Sequence, residues 1–353
     1  MRIEERIKTV QGLAKLLKTK DKKDLPSELR PLWEKWEEAV EREHFHHSWF
    51  VPEFVRSAAE AIADMLLGED GQALARWIAS YRPVLEAKTE THRVGVIMAG
   101  NIPLVASHDL LCVFMAGDVF VGKMSSHDTR LWPLLVEMLA VVSPEAASRV
   151  ELTQDRLGAV DAVIATGSNN STRYFEHYFG NKPHVFRGHC NGVAVLDGKE
   201  SAAELQGLAA DICLYFGMGC RNVSKVYVPE GYDFTPLFQS MEAYRPLLGA
   251  HHSYLNNLEY QKTVHLINSI PFLDQGLCMF KAEASIASPI GVVHYEHYTE
   301  VEKVWEPLRS EAVQCVATHL PAPLETVPLG RTQHPALSQY ANGIDTLRFL
   351  TEV

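Results

Sequence analysis

From Arg93 onward, short β-type runs alternate with helical stretches of roughly 10 to 17 residues, and this alternation limits the fold more than any other feature. "RVGVIMAGN" is a strand pattern that ends in Gly100-Asn101-Ile102-Pro103. "LVASHDLLCVFMAG" then has helical spacing and stops at Gly117. "DVFVGKM" is a second strand and "TRLWPLLVEMLAVV" a second helix with an early proline. "AVDAVIATGS" is a strand running into a turn, and "NNSTRYFEHYFG" opens on good N-cap residues. "NGVAVLDG", the amphipathic "SAAELQGLAADICLYFG" closed by Gly217, and "SKVYVP" continue the series. The economical fold is α/β, with parallel, doubly wound sheets. In such sheets functional groups lie beyond the carboxyl ends of the strands. Here those ends are Gly100-Asn101, Lys123 and Gly167-Ser168.

A chain of 353 residues is too long for one ordinary core, so two domains are expected, with an appended helical segment. "ELRPLWEKWEEAVERE" and "PEFVRSAAEAIADMLLG" carry apolar residues at spacings of three and four, which makes residues 1–90 helical. The expected division is a helical segment at 1–90, a nucleotide-binding domain at 91–215, a cysteine-bearing domain at 216–330, and a C-terminal segment at 331–353 that packs back on the core. "THLPAPLETVPLGRTQHPAL" is proline-rich and reads as loops.

A net charge of −11 argues against a surface built for nucleic acid or anionic lipid. No run of 18 apolar residues exists to span a bilayer, and the charged N-terminus lacks the core of a signal peptide. The six cysteines form no C-x-x-C pair and no disulfide framework, which fits reduced thiols in a cytoplasm. The histidine runs "HFHH" and "HYEH" come without cysteines or carboxylates at zinc spacing, so no metal is expected and "EREHFHHSWF" reads as a helix-to-helix surface.

"FGMGCRNVSKVYVP" sets Cys220 directly after a Gly-Met-Gly turn and before a strand. A thiol there can be a nucleophile, activated by the amides of a tight turn, or a small buried hydrophobe. Because it precedes a strand, Cys220 belongs to a second domain facing the first across a cleft. The other five cysteines lie in apolar patterns and read as packing. Lys123 can reach a ribose or phosphate or be a solvated strand end. Gly167-Ser168 can hold a phosphate or simply start a helix, since "ATGSNNS" is not G-x-G-x-x-G. Asn101 can donate to an oxyanion or be a turn residue.

Taken in order, these segments resemble the aldehyde dehydrogenase superfamily, and within it the LuxC-like acyl-CoA reductases. "VGVIMAGNIPLVASHDLLCVFMAGDVFVGKMSS" resembles the family's Asn-x-Pro and strand-end lysine region. "ATGS" resembles its pyrophosphate turn and "FGMGCRNVSKVYV" its catalytic-cysteine segment. "ASPIGVVHYEHY" resembles the segment bordering the nicotinamide ribose, and "QHPALSQYANGIDTLRFL" the C-terminal stretch of the LuxC-like branch. The resemblance implies two doubly wound domains with a cleft between them, and NAD(P)H-dependent reduction of an acyl-CoA through a thioester on Cys220. Asn101 and the Cys220 amide would form the oxyanion hole. Lys123, Ser126, Gly167 and Ser168 would bind the cofactor, with Glu283 as the carboxylate two residues from Ser285, where the family's ribose-binding glutamate falls.

Departures from the family pattern refine this. Hydrolytic members carry a glutamate base in the segment matching "VFRGHCNG", where residues 185–192 hold no carboxylate. Water is then not activated, and the nearby His189 is either a proton carrier or a histidine of the surface or second layer. Ser126 stands where NAD-specific members carry an acid, which favours NADPH over NADH, the other admissible cofactor. A reductase of acyl phosphates and a non-catalytic acyl-CoA or acyltransferase-binding protein are the alternatives. The partners expected are acyl-CoA, an acyltransferase or synthetase, and a second copy of the chain.

Overall fold

Five short strands with apolar interiors build the first sheet: β1 Arg93–Ile97, β2 Val119–Lys123, β3 Val150–Thr153, β4 Ala162–Thr166 and β5 His184–Arg187. All pair in parallel, in the order β3-β2-β1-β4-β5. Ala162 to Ala165 of β4 are wholly buried, as expected of a central strand covered on both faces. The strand order reverses between β1 and β4, which makes their carboxyl ends a topological switch point.

A second sheet contains β6 Asn191–Val195, β7 Val223–Pro229, β8 Leu273–Asp274, β9 Met279–Ala282, β10 Val292–Tyr298 and β11 Val313–Ala317. Its order is β11-β6-β7-β10-β9-β8, parallel except for the β8–β9 pair. The coordinates are a computed structural model that describes residues 1–167 and 169–353. They form two units, Met1–Gly188 with His334–Val353, and His189–Gln333.

The N-terminal helices are part of the first unit. Val10 and Leu13 of the helix Ile3–Lys18 and Val55 of the helix Pro52–Leu67 share one apolar core with Val94, Leu111 and Trp132. Arg6 Nη1 donates to the Met115 carbonyl (2.5 Å), using a cation to satisfy the end of the helix Ser107–Ala116. The C-terminal helix Thr346–Glu352 joins the same core through Leu347 and Leu350. Arg187 of β5 donates to Asp109 Oδ2 (2.9 Å) and Thr346 Oγ1 (2.6 Å), tying sheet, helix and C-terminus together.

The boundary expected at 215/216 moves to 188/189. Alternation alone assigned "NGVAVLDG" to the first domain, but β6 hydrogen-bonds β7 and β11 of the second sheet. The helix expected to close at Gly217 stops at Cys213, because Tyr215 and Phe216 adopt φ of 52° and 56°.

Asp109→Ala would leave the buried Arg187 guanidinium without its carboxylate, which should cost ~3–5 kcal/mol. Urea unfolding checks this, and a loss under ~1 kcal/mol would show that the pair does not tie the C-terminus down.

Candidate active site

In the first unit the carboxyl ends of β1, β2 and β4 are neighbours and carry Asn101, Lys123 and Gly167. The loops after β1 and β2 press together. A Cβ on Gly100 would lie 2.6 Å from the Cβ of Ser125, so only glycine permits the approach. Directly after Pro103, the Leu104 N–H donates to Asp128 Oδ2 (2.9 Å), which ties the loop carrying Asn101 to the segment after β2. Leu104 is buried at φ 55°, a conformation that a leucine adopts only when its surroundings impose it. Burial pushes the Asp128 carboxyl up to about 7, against the opposing pull of the Leu104 N–H. Asn101 itself is exposed.

Lys123 Nζ donates to the Gln154 carbonyl (2.6 Å). Ser126 is exposed. The next ring, His127, stacks on His47 with centroids 4.4 Å apart. Arg130 hydrogen-bonds His46, and its Nε lies 3.7 Å from the buried Glu43. The "HFHH" run does lie between two helices, and it also packs against the loop that follows β2. Gly167 N–H bonds the Arg187 carbonyl (3.1 Å), and Ser168 lies outside the described residues.

In the second unit Cys220 stands on a turn held by Asn222. That buried carboxamide accepts the Gly219 N–H (2.8 Å) and donates to the carbonyls of Asp211 and Leu214 (2.9 Å each). It thereby joins the end of the helix Ala202–Cys213 to the start of β7. Phe216, held at positive φ, is anchored by rings of His251 and Tyr254 at 4.4 and 5.4 Å. Cys220 is partly exposed, whereas Cys112, Cys190, Cys213 and Cys278 are buried.

Cys190 and Cys315, expected as packing residues, cluster with Cys220. Cys190 hydrogen-bonds Cys220, and this contact, with burial, pushes the Cys190 thiol well up. Its Sγ also donates to Gln314 Oε1 (3.2 Å). Burial pushes Cys315 up to about 12. His189 is exposed immediately before Cys190. Glu283 pairs with Lys281 (2.9 Å), which lowers its pKa, and accepts the Ala284 N–H. Lys225, fully buried in β7, donates to the Ala284 carbonyl (2.7 Å) and to Glu296 (2.6 Å), so the segment after β9 is pinned beside β7. His294 is a packing histidine bonded to the Ser285 carbonyl (2.8 Å).

The model of the acyl-CoA reductase family LuxC matches residues 1–239, more than half of the chain. The chain belongs to the LuxC acyl-CoA reductase family. The match includes the N-terminal helices, which the resemblance starting near residue 90 left out, and it spans Asn101, Lys123, Ser126, His189 and Cys220. This LuxC protein is therefore an oxidoreductase that reduces an acyl-CoA to the aldehyde. No curated protein matches it.

Solved structures establish the aldehyde dehydrogenase fold. Aldehyde dehydrogenase 21 from Physcomitrella patens, in complex with succinate, superposes with a TM-score of 0.62 at 13% identity, over 91% of this chain and 74% of that one. A NAD-dependent aldehyde dehydrogenase from Sinorhizobium meliloti gives 0.61 at 14%, over 90% and 70%. A putative aldehyde dehydrogenase from Burkholderia cenocepacia gives 0.59 at 12%, over 90% and 74%. Among the described residues no helix is long and apolar enough to cross a membrane.

Asp128 predicts a pH signature. Its folded pKa of about 7 lies above the ordinary 3.8, so stability is fully present below 3.8 and is lost as pH rises through about 7. Asp128→Asn keeps an acceptor for Leu104 and cannot ionise. Its melting temperature should fall less than the wild type's between roughly pH 5 and pH 8. Parallel melting curves for the two proteins would refute the assignment.

Proposed function

We propose that this LuxC reductase works through an acyl-enzyme on Cys220, with hydride from NADPH. The observation that best supports the nucleophile is the Asn222-stapled turn, which keeps Cys220 partly exposed while buried contacts carry the turn's strain. The thiolate of Cys220 adds to the thioester carbonyl and expels CoA as its thiol. The carbonyl oxygen takes its developing charge to the Cys220 N–H and the Asn101 carboxamide, a stabilisation typically worth ~3 kcal/mol per donor. The nicotinamide supplies the hydride that reduces the thioester. The resulting thiohemiacetal collapses to aldehyde and regenerates the thiolate. Within residues 185–192 no carboxylate is available to activate water, so the acyl-enzyme waits for hydride; His189 is the proposed proton carrier.

The first unit is the proposed cofactor domain. Supporting this, the β1 and β4 ends at the switch point carry Gly100-Asn101 and Gly167, where a dinucleotide fits a doubly wound sheet. Lys123 and Ser126 are assigned to the adenosine ribose, Gly167 and Ser168 to the pyrophosphate, and Glu283 to the nicotinamide ribose. A neutral Ser126 followed by His127 and Arg130 favours a 2′-phosphate, hence NADPH.

With acyl-CoA and no reductant, mass spectrometry should find the acyl group on Cys220, and free acid should form far more slowly than CoA is released. Cys220→Ser should lower turnover by orders of magnitude with little change in melting temperature. Cys213→Ser, at a buried position, should instead lose ~1–3 kcal/mol of stability and keep its turnover. Equal effects at the two positions would remove Cys220 from the mechanism.

Cofactor choice is tested separately. NADPH should serve at least as well as NADH in kcat/KM, and Ser126→Glu should shift the preference toward NADH. A clear NADH preference in the wild type overturns the assignment.

A further inference from the structure

Cys190 has no part in acyl transfer as set out above, yet its thiol hydrogen-bonds the nucleophile. The contact follows from the sheet. β6 and β7 are adjacent parallel strands with Gly192 opposite Val223, and the two cysteines lie just before them. The chains press together there: a Cβ on Gly192 would stand 2.5 Å from the Arg221 carbonyl oxygen and 2.8 Å from that of Asn222. Counting back from the Gly192–Val223 register sets Cys190 opposite Arg221, the residue after Cys220, on strands of the kind that run ~4.8 Å apart. A disulfide needs Cα atoms about 4.4–6.8 Å apart, and the contact between the two thiols brings their sulfurs together.

Exposure divides the two thiols into roles. Cys220 is partly exposed and meets a solvent oxidant first. Cys190 is 1% exposed, shielded from direct oxidation but in contact with Cys220. The third thiol, Cys315, sits in β11 with its Sγ 3.9 Å from the Arg221 carbonyl, which it faces as a weak donor. Cys220 and burial hold the Cys190 thiol protonated at rest, Gln314 is a neutral partner, and the charge of Arg221 works in the opposite direction.

We propose that Cys190 is a resolving thiol: in the presence of a peroxide it closes a reversible disulfide with Cys220. The Cys220 thiolate attacks one peroxide oxygen, the O–O bond breaks, and a sulfenic acid and hydroxide result. The Cys190 thiol then attacks the sulfenic sulfur, losing its proton as the S–S bond forms, and the S–O bond breaks, releasing the oxygen as a second hydroxide. Protons from the two thiols convert both hydroxides to water. Two thiols and one peroxide thus give one disulfide and two waters, each sulfur losing one electron. A dithiol reverses the bond by exchange. The consequence is a nucleophile kept from irreversible oxidation to the sulfinic acid. The effect on activity rests on the reading of Cys220 as nucleophile; the bond itself does not.

The test treats the full-length reductase with hydrogen peroxide in the absence of acyl-CoA, blocks free thiols, and maps the peptides by mass spectrometry. The expected result is a peptide pair joined through Cys190 and Cys220, lighter by two hydrogens, with most reductase activity lost and then regained on addition of dithiothreitol. Cys190→Ser should carry sulfinic acid at position 220 and recover little activity; Cys315→Ser should still form the joined pair. A Cys220–Cys315 link, or sulfinic acid on Cys220 of the wild type without any link, overturns the proposal. The wild-type map decides even if a variant fails to fold. A link that forms while activity persists would uphold the disulfide and refute Cys220 as nucleophile, which keeps the two claims apart.

Discussion

The buried carboxamide of Asn222 is the interaction on which the cysteine turn depends. Tyr215 and Phe216 occupy the left-handed region, at a cost of order 1–3 kcal/mol each. Such a pair persists only where the surroundings impose it. Asn222 supplies three hydrogen bonds that fix Gly219 relative to the carbonyls of Asp211 and Leu214. Phe216 contributes a wholly buried ring against His251 and Tyr254. The helix ends at Cys213 and the strand starts at Val223, and the interval between them presents the Cys220 thiol. A regular helix through Gly217 would instead bury that stretch in its own hydrogen-bond ladder.

The first unit uses the same device with a different side chain. Leu104 is again a buried residue at positive φ, and again one buried polar group, the Asp128 carboxylate, holds it through a backbone N–H. The loop that carries Asn101 is thus fixed behind by Asp128 and in front by the contact of Gly100 with Ser125. In both units a strained backbone position lies within a few residues of a side chain assigned to chemistry. Strain and its compensating polar group come as a pair, which is the pattern expected where geometry is held for a task other than stability.

What was legible in the sequence follows from burial. Strands buried on both faces, such as Ala162–Thr166, read as nearly continuous apolar runs and are legible at once, and Val223–Pro229 is legible despite its Ser224 and Lys225. β3 and β5 are four-residue edge strands with few buried positions, and no local pattern distinguishes "VELT" or "HVFR" from loop. The domain boundary failed for a related reason. Alternation says that a strand exists but not which sheet receives it, so β6 was counted with the wrong partners. Cys220 was legible because its glycine turn is local. Asn222 and Asp128 were not, since an asparagine in "GCRNV" gains its meaning from the carbonyls of Asp211 and Leu214, and an aspartate in "SHDTR" from the Leu104 N–H, none of which a local pattern predicts. The grouping of Cys190, Cys220 and Cys315 needed strand order, which no spacing encodes.

The absence of a carboxylate from residues 185–192 acquires a positive side once Cys190 is in place. A carboxylate near the nucleophile would be ionised at neutral pH and could take a proton from water. The Cys190 thiol, its pKa raised by the Cys220 contact and by burial, keeps its own proton instead. It can turn its S–H from Gln314 toward Cys220 when that sulfur ionises, stabilising the thiolate without offering a base. In the proposed mechanism this one position would withhold hydrolysis and favour the reactive form of Cys220. Both effects would serve the proposed acyl-enzyme, which must outlast the arrival of hydride, and neither would serve an enzyme that ends its cycle with water.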